Sequence, residues 1–237
     1  MGQERIIHAA LLGAGTVGSG VYKLVKDLEE EIISKTGARL VVDKILVRDT
    51  TKAREGIPSE LLIDRWDEIL NDPQIEIVIE VMGGIRPALT WLEEALRAGK
   101  QVVTANKDLL AEYGEQLFDA AEAGKCDLHF EAAVAGAIPI IRPLRQSLVA
   151  SELTEVMGIV NGTTNYILTR MTEDGMGYEE ALALATKLGY AESDPTADVE
   201  GYDAGRKVAI MASIAFNSNV TFSQVYTEGI THITAED

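Results

Sequence analysis

The chain has 237 residues, 46% of them hydrophobic, enough for one large domain or two small ones whose core needs neither disulfides nor a structural metal. A formal charge of −17 repels polyphosphate backbones and anionic lipid, which argues against nucleic acid or a membrane surface as partner. Any anionic cofactor has to be held locally, by backbone amides and a few Lys or Arg.

The opening stretch 1–5 lacks the basic flank and apolar run of an export signal, and Ile6 stands where a myristoylation motif needs Ser or Thr. No apolar run approaches the roughly 20 residues that span a bilayer, so a cytoplasmic protein is expected. The lone Cys126 can form no internal disulfide and fits a reducing compartment as a small buried residue.

Short apolar runs at 6–12, 40–47, 75–82, 101–104 and 128–134 read as strands. Between them 17–34, 87–98 and 109–123 carry apolar residues at three and four spacing and read as helices. The acidic run Glu29-Glu30-Glu31 fits a solvated helix face. This alternation predicts a Rossmann-type, doubly wound parallel sheet over 1–139. Beyond it the rhythm changes: 153–160 reads as a strand and 164–171, 178–188 and 198–216 as helices, which predicts an α+β substrate and dimerisation domain over 140–237, incomplete at its carboxyl end.

The informative residues fall just past the carboxyl ends of the expected strands, where a doubly wound sheet binds ligands. Gly13-x-Gly15-x-x-Gly18 follows the first strand and opens the first helix. There Gly13 permits a tight turn, Gly15 lets the backbone approach a pyrophosphate, Gly18 allows close helix–strand packing, and the amides from Thr16 and Val17 onward face the anion. Past the second strand, Val47-Arg48-Asp49 offers a cation for a 2′-phosphate beside an acid for ribose hydroxyls, so NADP is favoured while NAD stays open. Lys107, after Thr104-Ala105-Asn106, places an ammonium group at the same rim.

Further on, Asp203 and Lys207 are four apart, and so share one helix face. Glu131 precedes a glycine-containing turn, 132–139, whose carbonyls can converge on a hard cation; a hydrogen-bonded Glu at a strand end is the plainer reading. His8, His129 and His232 have no metal-ligand spacing, and the first two read as packed or edge residues.

Four segments, Gly13-Ala14-Gly15-Thr16-Val17-Gly18, Thr104-Ala105-Asn106-Lys107, Asn161-Gly162-Thr163-Thr164-Asn165 and the run from Asp194 to Lys207, resemble homoserine dehydrogenases in type, spacing and order over essentially the whole chain. The resemblance implies an NADP- or NAD-dependent oxidoreductase interconverting L-aspartate 4-semialdehyde and L-homoserine, working as a homodimer or higher oligomer. It makes Lys207 the proton donor, with Asp203 and Lys107 assisting, Asp198 an active-site carboxylate, and Glu192 the holder of the substrate ammonium. Thr104 and Lys107 border the cofactor. The stretch 161–165 lies close to the active site, and Glu131 with the carbonyls of Val134, Gly136 and Ile138 forms a sodium site.

Two other dehydrogenase types fit less well. A thioester mechanism needs a cysteine nucleophile, and Cys126 has no evident base. Sugar dehydrogenases carry a Glu-Lys-Pro triplet where this chain has Ala105-Asn106-Lys107-Asp108. Family members continue beyond the segment that 225–237 resembles, so the alternative reading is a truncated, catalytically poor nucleotide-binding fragment.

Overall fold

A computed structural model describes residues 5–237. Of the amino-terminal stretch examined for an export signal, residues 1–4 lie outside the described part. The chain divides into two compact units, one reaching Ala133 and the other covering Val134–Asp237.

The first unit is built on six strands, β1 (Arg5–Leu12), β2 (Ala38–Leu46), β3 (Leu62–Ile63), β4 (Ile75–Glu80), β5 (Gln101–Thr104) and β6 (Leu128–His129). They are all parallel and lie in the order β3-β2-β1-β4-β5-β6. The helices are α1 (Thr16–Asp27), α2 (Glu29–Thr36), α3 (Asp67–Leu70), α4 (Ala88–Arg97) and α5 (Lys107–Gly124). From β1 the chain winds outward to β2 and β3, then returns to the other side of β1 for β4, β5 and β6. Right-handed crossovers therefore put α1 and α4 on opposite faces of the sheet. The reversal between β1 and β4 is the topological switch point, where such sheets open a binding crevice.

The central strands are mainly apolar because both faces are covered: Ala9, Ala10, Leu11 and Leu12 are fully buried, as are Ile45 and Val78. One core cluster joins Leu11, Tyr22, Val42, Ile45 and Leu62 beneath α1. Leu89, Leu92 and Leu96 of α4 and Leu109 and Leu117 of α5 are also fully buried.

Three expectations need correction here. The helix expected over 17–34 is two helices, parted at Leu28 (φ −108°, ψ 24°), and Glu29, Glu30 and Glu31 form the first turn of α2, where negative charge suits the helix dipole. The strand expected over 128–134 stops at His129, because β5 pairs with it only through Val102 and Val103, and past Thr104 the neighbouring chain turns toward α5. Glu131–Ala133 forms a 3-10 turn instead. The edge strand β3 and the short α3 were not foreseen.

The second unit, among its described residues, is made of α6 (Gly162–Asp174), α7 (Tyr178–Lys187), α8 (Thr196–Val199) and α9 (Tyr202–Ala215), with no strand. The strand expected over 153–160 is irregular chain: nothing in the unit offers it a neighbouring strand, and an unpaired strand cannot satisfy its backbone groups. Met157 and Ile159 on it are 84% and 79% exposed. The helix expected over 198–216 is broken at Gly201, whose φ of 79° is left-handed. Ile167, Met171, Ala181, Ala185, Ala191, Val199 and Ile230 form this unit's core.

The segment 222–230 lies across α9 through notches made by glycines. A Cβ on Gly205 would sit 2.5 Å from Thr227 Cγ2 and 2.8 Å from Phe222 Cε2, and one on Gly229 would sit 2.7 Å from Val199 O. The Ile230 amide donates to Val199 O at 2.8 Å.

Candidate functional site

In the first unit the glycine turn follows the buried end of β1. Gly13 has φ 101°, closed to other residues, and its amide donates to Leu46 O at 3.0 Å, tying the turn to the end of β2. Gly15 is the N-cap of α1 and nothing lies within 4 Å of where its Cβ would be, while a Cβ on Gly18 would sit only 2.1 Å from Gly13 O. Space at Gly15 and contact at Gly18 are what a dinucleotide turn requires. Gly15, Thr16 and Val17 are exposed, and no acidic residue stands in the first turn of α1 to compete with an anion. These residues fit a pyrophosphate.

Beside the turn, a cleft of about 590 Å³ runs between α1 and the loop 54–56, lined in part by Ser19, Tyr22, Lys23, Lys26 and Arg54. Asp27 and Glu55 line it too, and Lys23 is paired with Asp27, so the cleft carries charges of both signs. Arg48 is exposed past the end of β2. Its neighbour Asp49 accepts from Thr51 N at 2.9 Å and Thr51 Oγ1 at 2.6 Å, and the Thr51 hydroxyl, then the amide, hold its carboxyl below the usual carboxylate range. Asp49 is thus engaged within its own turn.

Glu80, at the end of β4, is the buried charge that the sequence reading passed over. It is fully buried; Oε1 accepts from Met82 N at 2.8 Å and Gly83 N at 3.1 Å, and Oε2 from Thr104 Oγ1 at 2.6 Å. Thr104 Oγ1 accepts in turn from Asn106 N at 3.0 Å, Asn106 Nδ2 donates to Gly84 O at 2.7 Å, and Asn106 Oδ1 caps α5 by accepting from Leu109 N at 3.2 Å. One carboxylate therefore fastens the Gly83-Gly84 loop to the start of α5. Lys107, the first residue of α5, is half-buried at this rim. A Glu in an apolar parallel strand was the available signal, since a buried charge must find donors.

In the second unit, α9 presents Asp203 and Lys207 from adjacent turns. Lys207 Nζ donates to Asp203 Oδ2 at 2.5 Å and to Val160 O at 2.6 Å, and the two side chains are only 16% and 10% exposed. Asn161, N-cap of α6, accepts through Oδ1 from Thr164 N at 2.8 Å and Thr164 Oγ1 at 2.9 Å. Its Nδ2 donates to Asp198 Oδ1 at 2.7 Å and Asp203 Oδ2 at 3.0 Å. The expected residues Lys207, Asp203 and Asp198 are thus brought together, with Asn161 among them. Glu192 stands apart from these bonds, exposed in the loop before α8, a loop tied to α6 by Thr163 Oγ1 donating to Tyr190 O at 2.8 Å.

Glu131 heads its 3-10 turn half-buried. In the loop that follows, Val134 is fully buried, Ile138 is 66% exposed, and Ala135 and Ala137 hold left-handed backbone at φ 51° and 66°. Such conformations cost on the order of 1–3 kcal/mol each and cluster at ligand clamps. His8 pairs through Nδ1 with Asp43 Oδ2 at 2.6 Å, a packing role, and His129 is exposed at the sheet edge. Cys126 is half-buried, its thiol donating to Leu96 O at 3.2 Å. Among the described residues no helix is long and apolar enough to cross a membrane.

With the geometry in hand, comparison with known proteins gives one answer. The sequence model described as homoserine dehydrogenase, NAD binding domain, matches residues 13–131, and the one described as homoserine dehydrogenase matches 139–237. The homoserine dehydrogenase of Bacillus subtilis is 47% identical over 98% of this chain and 54% of its own, and that of Corynebacterium glutamicum 51% over 100% and 53%. A crystal structure of a homoserine dehydrogenase from Thiobacillus denitrificans superposes at a TM-score of 0.91, with 44% identity over 98% of this chain and 54% of that one. The chain spans about half the length of the curated relatives it matches.

Proposed function

The chain belongs to the homoserine dehydrogenase family, and from that membership we propose that it interconverts L-aspartate 4-semialdehyde and L-homoserine with a nicotinamide dinucleotide as partner. The observation that carries this reading is the Lys207 ammonium. Two of its three donors are spent on Val160 O and Asp203 Oδ2, which leaves one for a ligand.

The residues up to 139 hold the dinucleotide and those from 140 onward hold the substrate. When bound, the nicotinamide gives a hydride to the aldehyde carbon or takes one from the alcohol. Lys207 donates its proton to the oxygen as alkoxide character develops there, and Asp203, at 2.5 Å, keeps the ammonium aimed. Asp198 and Glu192 balance the substrate ammonium, and Lys107 assists, as the family resemblance implies. The pyrophosphate is held by the turn from Gly13 to Gly18, with Thr104 bordering the cofactor.

Arg48 favours NADP over NAD, because the neighbouring Asp49 is committed to Thr51. A sodium ion would take Glu131 and the carbonyls of Val134, Gly136 and Ile138; the paired left-handed residues Ala135 and Ala137 support that assignment. Assembly as a homodimer or higher oligomer in the cytoplasm follows from the family resemblance.

A second reading, dinucleotide binding without turnover, is favoured by the irregular stretch 152–160, which leaves the second unit without a strand among its described residues. Absorbance at the reduced nicotinamide band with NADPH and aspartate semialdehyde separates the two. In the active case Lys207→Ala lowers turnover by roughly a hundredfold or more with the coenzyme still bound. Near-native turnover in that variant removes Lys207 from the mechanism.

A further inference from the structure

We propose that Asn161 is a positioning residue whose carboxamide holds the Asp198 and Asp203 carboxylates against each other and so aims the Lys207 ammonium. This deepens the proposed function and rests on that reading.

The orientation of the amide is settled by its neighbours. Oδ1 accepts from the Thr164 amide at 2.8 Å, and a backbone N–H can only donate, so Nδ2 is the atom turned toward the acids. It meets Asp198 Oδ1 at 2.7 Å and Asp203 Oδ2 at 3.0 Å. Two carboxylates brought to one place repel, and each added like charge there favours protonating one of them. A neutral donor between them satisfies both without adding charge, whereas an ionised acid has no donor to offer and a lysine would add a cation that competes with Lys207 for them.

The consequence for Lys207 follows from shared atoms. Asp203 Oδ2 receives both Asn161 Nδ2 and Lys207 Nζ, at 3.0 and 2.5 Å. Lys207 also donates to the carbonyl of Val160, the residue next to Asn161 in the chain. The ammonium is therefore fixed by the same turn from two sides, through the Asp203 carboxylate and through the backbone. Asn161 is 8% exposed and Asp203 7%, so water does not readily replace either bond. Asn161 needs no contact with substrate to act; it sets where Lys207 and Asp198 point.

The test separates this role from helix capping. Asn161→Asp keeps an oxygen for the Thr164 amide and is an equally good N-cap, but it turns a carboxylate toward two others. Asn161→Ser also keeps a cap, adds no charge and replaces the NH2 that reaches both acids by one shorter O–H, which cannot bridge them. Both are compared with the unaltered full chain for folding by circular dichroism, NADPH affinity by calorimetry, turnover, and the rate of Lys207 acylation by acetic anhydride relative to exposed Lys187, read by mass spectrometry.

The expected result is intact folding and unchanged NADPH affinity, turnover reduced at least tenfold in both variants, and slower acylation of Lys207. The slowing should be several-fold in Asn161→Asp, where added negative charge favours ammonium over the reactive amine, and smaller in Asn161→Ser. Turnover within about twofold of the unaltered chain, with unchanged Lys207 acylation in either folded variant, overturns the proposal and leaves Asn161 a helix cap. If the unaltered chain has no turnover, the proposed activity fails while the acylation comparison still decides the role of Asn161. Should Asn161→Asp not fold, Asn161→Ser decides it by the same readout.

Discussion

Removing the Glu80 side chain tests whether the rim of the first unit hangs on one buried carboxylate. In Glu80→Ala the amides of Met82 and Gly83 and the hydroxyl of Thr104 lose an acceptor together, at a residue with no exposed surface. Each bond to a charged acceptor is worth about 1.5–3 kcal/mol, but the deletion also relieves the cost of burying a charge, so the net loss should be about 3–5 kcal/mol. Glu80→Gln keeps an oxygen for the two amides and offers its NH2 to Thr104 Oγ1; charge assistance and the bond donated by the Thr104 hydroxyl are lost, about 1–2 kcal/mol. The assay is urea unfolding followed by tryptophan fluorescence. The chain has two tryptophans, Trp66 and Trp91, stacked with centroids 5.6 Å apart in the first unit, so the signal reports that unit. With a slope near 2 kcal/mol/M, the midpoint should fall by about 2 M in Glu80→Ala and by under about 1 M in Glu80→Gln. Equal losses in the two variants, or a loss under about 1 kcal/mol in Glu80→Ala, would refute the account of Glu80 as the anchor of this rim.

Gly18→Ala should cost both stability and dinucleotide binding, because its methyl would lie 2.1 Å from Gly13 O, whereas Gly15→Val should keep the thermal midpoint and lose NADPH in calorimetry, because no protein atom lies within 4 Å of the added Cβ, where a pyrophosphate would approach. A Gly15→Val protein that still binds NADPH normally would misplace the site. Arg48→Ala should weaken NADP binding roughly tenfold or more and leave NAD nearly unchanged, as expected for a lost charge-assisted bond of about 1.5–3 kcal/mol; equal losses for both coenzymes count against a 2′-phosphate contact. Burial, helped by the Asp127 carboxylate, pushes the Cys126 thiol above its ordinary value of 9.0, so iodoacetamide should alkylate the native protein slowly at pH 8, speed up only at higher pH, and react quickly once urea unfolds the chain. Equal native and unfolded rates at pH 8 would contradict that.

The sheet was legible in the sequence where both faces of a strand are buried. Strand β1 ends at Leu12 and β5 runs from Gln101 to Thr104 as the apolar runs predict, because a parallel strand covered on both sides is mostly apolar between its turns. What escaped was of three kinds. The two-residue β3 is too short to carry a period. The breaks at Leu28 and Gly201 depend on where a new helix start is better satisfied, and periodicity runs straight through them. The stretch 153–160 has strand-forming residues, but strand formation depends on a neighbour the unit does not supply. In the candidate site, the pair Asp203 and Lys207 was visible as spacing on one helix. The stretch 161–165 was brought near the site only by the family resemblance, since a bond from Asn161 to residues 37 and 42 positions away has no local signature.

The glycine notches under segment 222–230 bear on how the second unit breathes. With Gly205 packed against Phe222 and Thr227, and Gly229 against the carbonyl of Val199, the turn that carries Lys207 cannot unwind while the segment stays seated. Amide hydrogens at Ile230, bonded to Val199 O, and at Gly205, bonded to Gly201 O, should therefore exchange with solvent through one shared opening rather than by separate fraying of a chain end and a helix. Exposure of that lysine by helix opening is then set by how firmly this strip of chain is laid down, and changes to Thr227 would alter how often the helix opens, while changes to Phe222 would also remove the ring on which the Arg206 guanidinium stacks at 4.8 Å.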